Sequence, residues 1–62
     1  KGVDHSAHLS GLAVDISANS SYTRFKIITG LIALGFKRIG VYESHIHADI
    51  DKEKMQDIMW IG

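Results

Sequence analysis

The alternation of apolar and polar positions divides the chain into one helix-period segment and several period-two segments. In Leu-Ala-Val-Asp-Ile, Leu12, Val14 and Ile16 share one side and Ala13 and Asp15 the other, which predicts a half-buried strand over Leu12–Ile16. Asp15 then faces away from the apolar side, beside a residue too small to crowd it. Ser17–Ser21 is a run of turn formers that offers Ser20 or Ser21 as an N-cap. From Tyr22, the residues Phe25, Ile28, Leu31 and Ile32 recur at helical spacing with Arg24 and Lys26 off the stripe, predicting a helix over Ser21–Leu34. Gly30 inside it costs about 1 kcal/mol relative to alanine, which predicts a close approach of the helix backbone to a sheet there. Gly35 is the natural residue to follow the helix end.

Beyond the helix, Arg38–Tyr42 is rich in β-formers and reads as a second strand. Glu43-Ser44 is a short connection. In His45–Ile50 the alternation resumes, with His45, His47 and Asp49 on one face and Ile46, Ala48 and Ile50 on the other. Asp51–Gln56 is charged and reads as a loop or single turn, and Ile58–Ile61 as a last strand anchored by Trp60. Lys1–His5 is polar and without periodicity, an entry loop that continues to Gly11. The expected architecture is α+β: one helix packed on a small, mainly antiparallel sheet of three to four strands, as a single domain over residues 1–62.

With 62 residues, such a domain buries only about 60% of the surface of its unfolded chain and is marginal without a further tie. The absence of cysteine excludes disulfides and thiolate metal sites, which leaves the four histidines as the available staple. Seven basic and seven acidic residues balance, so no overall field directs the chain to nucleic acid or to an anionic membrane. The longest mostly apolar run, Ile27–Phe36, is far below the roughly 20 residues of a bilayer span. No charged n-region with an apolar h-region opens the chain. Nothing in it predicts an oligomeric state.

Chemistry concentrates in two stretches. Ser6–Ile16 carries His8 and Asp15, and His45-Ile46-His47 carries two more imidazoles. An imidazole, a carboxylate and a second imidazole make three protein ligands for Zn²⁺ and leave a fourth position open, the pattern of a catalytic zinc. His45, His47 and Asp49 at spacing two all suit metal or proton chemistry, although a polar outer face alone also produces such alternation. His5, outside any motif, reads as a solvated loop residue, and Tyr42 and Trp60 as packing residues.

The segment S-x-H-x-x-G-x-A-x-D formed by Ser6, His8, Gly11, Ala13 and Asp15 resembles the first metal motif of the zinc D-Ala-D-Ala carboxypeptidases and related peptidoglycan endopeptidases. His45-Ile46-His47-Ala48-Asp49 is similar to that family's second motif, in both its H-x-H and H-x-D forms. GFKRIGVYESHIHADID resembles the phage-associated branch, which includes endolysins. The resemblance runs from about Ser6 to Trp60. It implies a hedgehog/DD-peptidase-like fold and His8, Asp15 and His47 as zinc ligands. It further implies a hydrolase that cuts peptide bonds of peptidoglycan, with no nucleic-acid partner, acting on the cell wall from the periplasm, outside the cell or by phage delivery.

Where much of the family has a glutamate three residues before the last ligand, this chain has Ser44, with Glu43 one further back. His45, matching the first histidine of the H-x-H form, is therefore the first candidate for the acid/base group. An exposed strand histidine is its other reading. Glu43 is the second candidate, with a turn position as its other reading. Asp49 matches a group that orients an imidazole. The family also implies a substrate-binding segment with an arginine ahead of Lys1. The alternative function is a non-catalytic, zinc-stabilised domain that binds peptidoglycan or a protein through the same face.

Overall fold

The computed structural model describes residues 12–62. His8, with Ser6 and Gly11 of the first motif, lies outside the described residues. The elements follow in the order β1 (Ala13–Ser17), α1 (Ser21–Ala33), β2 (Arg38–Val41), β3 (His45–Asp49) and β4 (Ile58–Ile61). They form an α+β fold, one helix on a four-stranded, mostly antiparallel sheet of order β1-β3-β2-β4. β3 pairs antiparallel with β1 on one side and β2 on the other, while β4 runs parallel to β2. β1 and β2 thus run in the same direction with β3 inserted between them and α1 as their connection.

Local chemistry sets the ends of α1. The Ser20 hydroxyl accepts from the Thr23 backbone N–H at 3.1 Å, satisfying one of the free donors of the first turn. At the other end Gly35 takes φ +100°, the Gly35 N–H donates to the Ile32 carbonyl, and the Phe36 N–H reaches back to that of Leu31, each at 3.0 Å. That pair of bonds is a Schellman motif, and glycine adopts its left-handed residue without the Cβ penalty.

The period-two pattern separates the two faces of the sheet. Ile46 and Ala48 are fully buried in the centre of β3, with Ile39 of β2 and Leu31 of α1 closing over them; Val14, Ile16, Ile27, Ile28, Phe36 and Val41 pack around this core. Helix α1 differs from its predicted face. Leu31 is buried and Ile27 and Ile28 are half-buried, but Phe25 and Ile32 are 65% and 54% exposed. Arg24, expected off the stripe, is half-buried, and its guanidinium reaches the Glu43 carbonyl at 3.4 Å. The contact face is rotated because α1 packs chiefly on β3, leaving the side toward β4 uncovered. Gly30 also departs from expectation: it is exposed, and a Cβ there would meet nothing within 4 Å. The close approach occurs at Gly40, where a Cβ would fall 2.6 Å from the Trp60 indole.

Candidate functional site

The sheet face away from α1 is organised in rows set by strand register. One row runs Ala13–Asp49–Arg38–Ile58 across the four strands, and the next Asp15–His47–Gly40–Trp60. A third begins Ser17–His45 and continues to Tyr42, whose N–H donates to the His45 carbonyl at 2.9 Å. Residues paired across strands share a face, so the alternation that buries Ile46 and Ala48 necessarily gathers Asp15, His45, His47, Asp49, Arg38, Tyr42 and Trp60 on the other side.

His47 is the centre of this face. Its Nδ1 lies 3.0 Å from Asp15 Oδ1 and its Nε2 2.8 Å from Asp49 Oδ2. Asp49 Oδ1 in turn accepts from Arg38 Nε at 2.6 Å, with both side chains only 11% exposed. The Asp51 N–H donates to the same oxygen, and Arg38 Nη1 donates to the Met55 carbonyl at 2.8 Å. A buried ion pair of this kind is costly to break, about 3–5 kcal/mol when one partner is removed, because the other charge is left uncompensated.

Burial works against charge on the His47 imidazole, but the hydrogen bonds to Asp49 and Asp15 and their negative charges outweigh it, and the pKa is raised above the ordinary histidine value. Burial likewise pushes the Asp49 carboxyl up. The bonds from His47, the Asp51 N–H and Arg38, with the guanidinium charge, outweigh that and hold it below the ordinary aspartate value. Ionised carboxylates only accept hydrogen bonds, so a doubly protonated His47 ring is the form that satisfies both contacts.

Comparison with family models, curated proteins and solved structures found no match.

Two of the three expected ligands, Asp15 and His47, lie side by side on neighbouring strands, as two ligands of one small cation must. The donor set fits a zinc site in a second way. A ligating histidine characteristically donates its other ring N–H to a carboxylate, and the His47 Nε2 to Asp49 bond would be that contact if His47 held an ion. His8 lies outside the described residues, which themselves contain no group of three or more metal-binding side chains.

His45 is on the same face as His47 and half-buried. Its ring stacks on Tyr42 with centroids 4.6 Å apart and planes 3° from parallel. Glu43 is different. It occupies the β2–β3 turn with an exposed side chain, and no described side chain bonds its carboxylate. The turn breaks the strand parity that would have brought it to His47.

Arg38, Tyr42 and Trp60 are members of this face that sequence reasoning assigned to the strand or to packing. Their signal is parity: Arg38, Gly40 and Tyr42 alternate with Ile39 and Val41, so a buried Ile39 puts an arginine on the polar side. Trp60 extends the row, its ring centroid 5.9 Å from that of His47 and 5.2 Å from Arg38 Cζ. On the helix side an apolar cleft of about 330 Å³, lined by Ile32, Phe36, Ile39, Ile58 and Met59, lies away from all of these groups.

Proposed function

We propose that the chain is the metal-binding part of a zinc-dependent peptidase that hydrolyses peptide bonds of bacterial cell-wall peptidoglycan, in D-Ala-containing stem or cross-link peptides. His8, Asp15 and His47 would hold the ion. The observation that carries the reading is the Asp15–His47–Asp49–Arg38 chain, in which a cross-strand carboxylate and imidazole stand together while the far edge of the imidazole is tied to a second, guanidinium-held carboxylate. The motif spacing that resembles the family supports it independently. No helix among the described residues is long and apolar enough to cross a membrane. The proposed place of action is the cell wall, reached from the periplasm, from outside or with a phage.

A bound zinc supplies Lewis acidity for the scissile carbonyl and a water that attacks at neutral pH. The protein's own residues do the rest. With zinc held, Asp49 would accept a hydrogen bond from the His47 Nε2–H and so favour the tautomer whose Nδ1 is free to ligate. Arg38 keeps Asp49 ionised and oriented. His45, two residues from His47 on the same face, takes a proton from the attacking water at an imidazole nitrogen and returns it to the leaving amine. Glu43 is the second candidate for that transfer.

A second reading, a non-catalytic zinc-stabilised domain binding peptidoglycan or a protein through this face, draws on the position of Glu43 in the turn, outside the polar cluster. Incubating the chain with a D-Ala-containing stem peptide and following the products by mass spectrometry separates the two. Cleavage that disappears with chelator and returns with zinc is the expected result. Zinc bound without cleavage selects the second reading.

A further inference from the structure

The two histidines of β3 are held in opposite ways. His47 is fixed at its edge, with both ring nitrogens engaged by carboxylates. His45 is fixed by its face against Tyr42, and among the described residues neither of its ring nitrogens has a hydrogen-bond partner. An edge-held ring suits a ligand, whose nitrogen must aim at one point. A face-held ring has a defined plane and free nitrogens, which proton transfer requires.

Tyr42 is itself anchored from two sides. Its hydroxyl accepts a hydrogen bond from Trp60 Nε1 at 2.9 Å. Gly62 lies directly against its ring, so that any Cβ at that position would collide with it. The indole that supplies the bond can lie across β2 only because Gly40 has no Cβ. Two glycines and a tryptophan on the polar face therefore fix the place of one phenol ring, outside the hydrophobic core of Ile39, Ile46, Ala48 and Leu31. The Tyr42 N–H to His45 carbonyl bond keeps the two residues opposite each other at the hairpin end.

We infer that Tyr42 is a positioning residue for His45, setting the plane of its imidazole through the parallel stack and being held in turn by Trp60. The inference rests on the reading of His45 as the proton-transfer group. Misplacing a reacting group by about 1 Å can cost up to roughly 10²-fold in rate, so loss of the stack is expected to appear in kcat. The Tyr42 side chain bonds Trp60 and stacks on His45, and among the described residues no hydrogen bond or ring pair links it to Asp15 or His47, so zinc binding is expected to be spared.

The test uses the full chain, its Tyr42→Leu variant, which removes the stacking ring, and Tyr42→Phe, which keeps it. In the wild-type protein, NMR should show upfield-shifted His45 ring protons and cross-relaxation to the Tyr42 ring. The shift should persist in Tyr42→Phe and vanish in Tyr42→Leu. Calorimetry with zinc alone should give affinities for both variants within about twofold of wild type. Turnover of a D-Ala-containing peptide should fall on the order of tenfold or more in kcat for Tyr42→Leu, with KM little changed, and should fall less for Tyr42→Phe, which keeps the stacking ring and loses only the bond from Trp60. Wild-type His45 protons without the shift overturn the inference whether or not the leucine variant folds. Unchanged kcat in folded Tyr42→Leu overturns it alone. A zinc-loaded wild type that turns over nothing overturns the parent reading and this one with it.

Discussion

At the scale of single residues, His47 decides what the polar face can be. It bridges two carboxylates and its pKa is raised, so zinc at Nδ1 competes with a proton and affinity should weaken as pH falls. Asp49→Asn keeps the shape but removes the charge that orients the ring, and zinc affinity by calorimetry should drop about 10–100-fold. The acid/base assignment is tested separately. His45→Ala should lower kcat by about 10²–10⁴ with zinc still bound, and Glu43→Gln should have the smaller effect. A nearly inactive Glu43→Gln beside a nearly normal His45→Ala would reverse the assignment. Position favours His45, which shares the strand and face of His47, over Glu43, whose side chain is exposed in the turn.

At the scale of elements, the two internal glycines with contrasting surroundings make opposite predictions. Gly30 lies in an exposed helix interior with open space where a Cβ would go, so Gly30→Ala should stabilise the fold by about 0.4–1 kcal/mol. Gly40 is covered by the Trp60 indole. Gly40→Ala should cost about 1–3 kcal/mol through overpacking, and it should shift the fluorescence of the chain's single tryptophan. Chemical denaturation of both variants measures the difference, and equal effects would mean that Trp60 does not lie across β2. The rows of the sheet are element-scale consequences as well. A one-residue slip of β3 would send His45, His47 and Asp49 into the core, and the burial of Ile46 and Ala48 is what prevents it.

At the scale of the whole molecule, a small core must share the work of stability with the polar face. Burial lowers the His47 pKa, but the bonds to Asp49 and Asp15 and their charges outweigh it and leave the value above the ordinary 6.5. Its contribution to the metal-free fold is complete below about pH 6.5 and is lost as pH rises through the raised value. Asp49 has the opposite sign. Its pKa lies below the ordinary 3.8, so its contribution is present above about pH 3.8 and is lost as pH falls through the lowered value. Between those limits both contributions are present, and denaturation midpoints of the metal-free chain should be highest there. His47→Asn should flatten the alkaline limb and also weaken the acid one, because the bond from His47 is among those that hold the Asp49 carboxyl down. Zinc at about 100 times its dissociation constant should add about 2.7 kcal/mol, a rise in Tm of roughly 10–20 °C for a chain of this length, reversed by chelator. An unchanged Tm would remove zinc as a tie for the fold.

Local pattern carried much of this protein. Alternation in Leu12–Ile16 and His45–Ile50 sorted the strand side chains between the two faces, but not their burial: Leu12 and Ile50, just beyond the strand ends, are exposed, and Asp49 on the polar face is buried. Ser20 and Gly35 determined where α1 begins and ends, because a cap and a left-handed residue are decided within a few residues. Periodicity alone did not decide which side of α1 meets the sheet, since Phe25 and Ile32 are as apolar as Ile27 and Leu31; the position of the helix over β3 selected among them. It did not decide where β4 would pair either. The parallel register with β2 brings Trp60 beside Gly40 and so toward His47, and that depends on long-range strand order. The Arg38–Asp49–His47–Asp15 chain joins three strands. Sequence spacing named Asp15, His47 and Asp49 but not Arg38, and only tertiary register could bring their atoms within bonding distance.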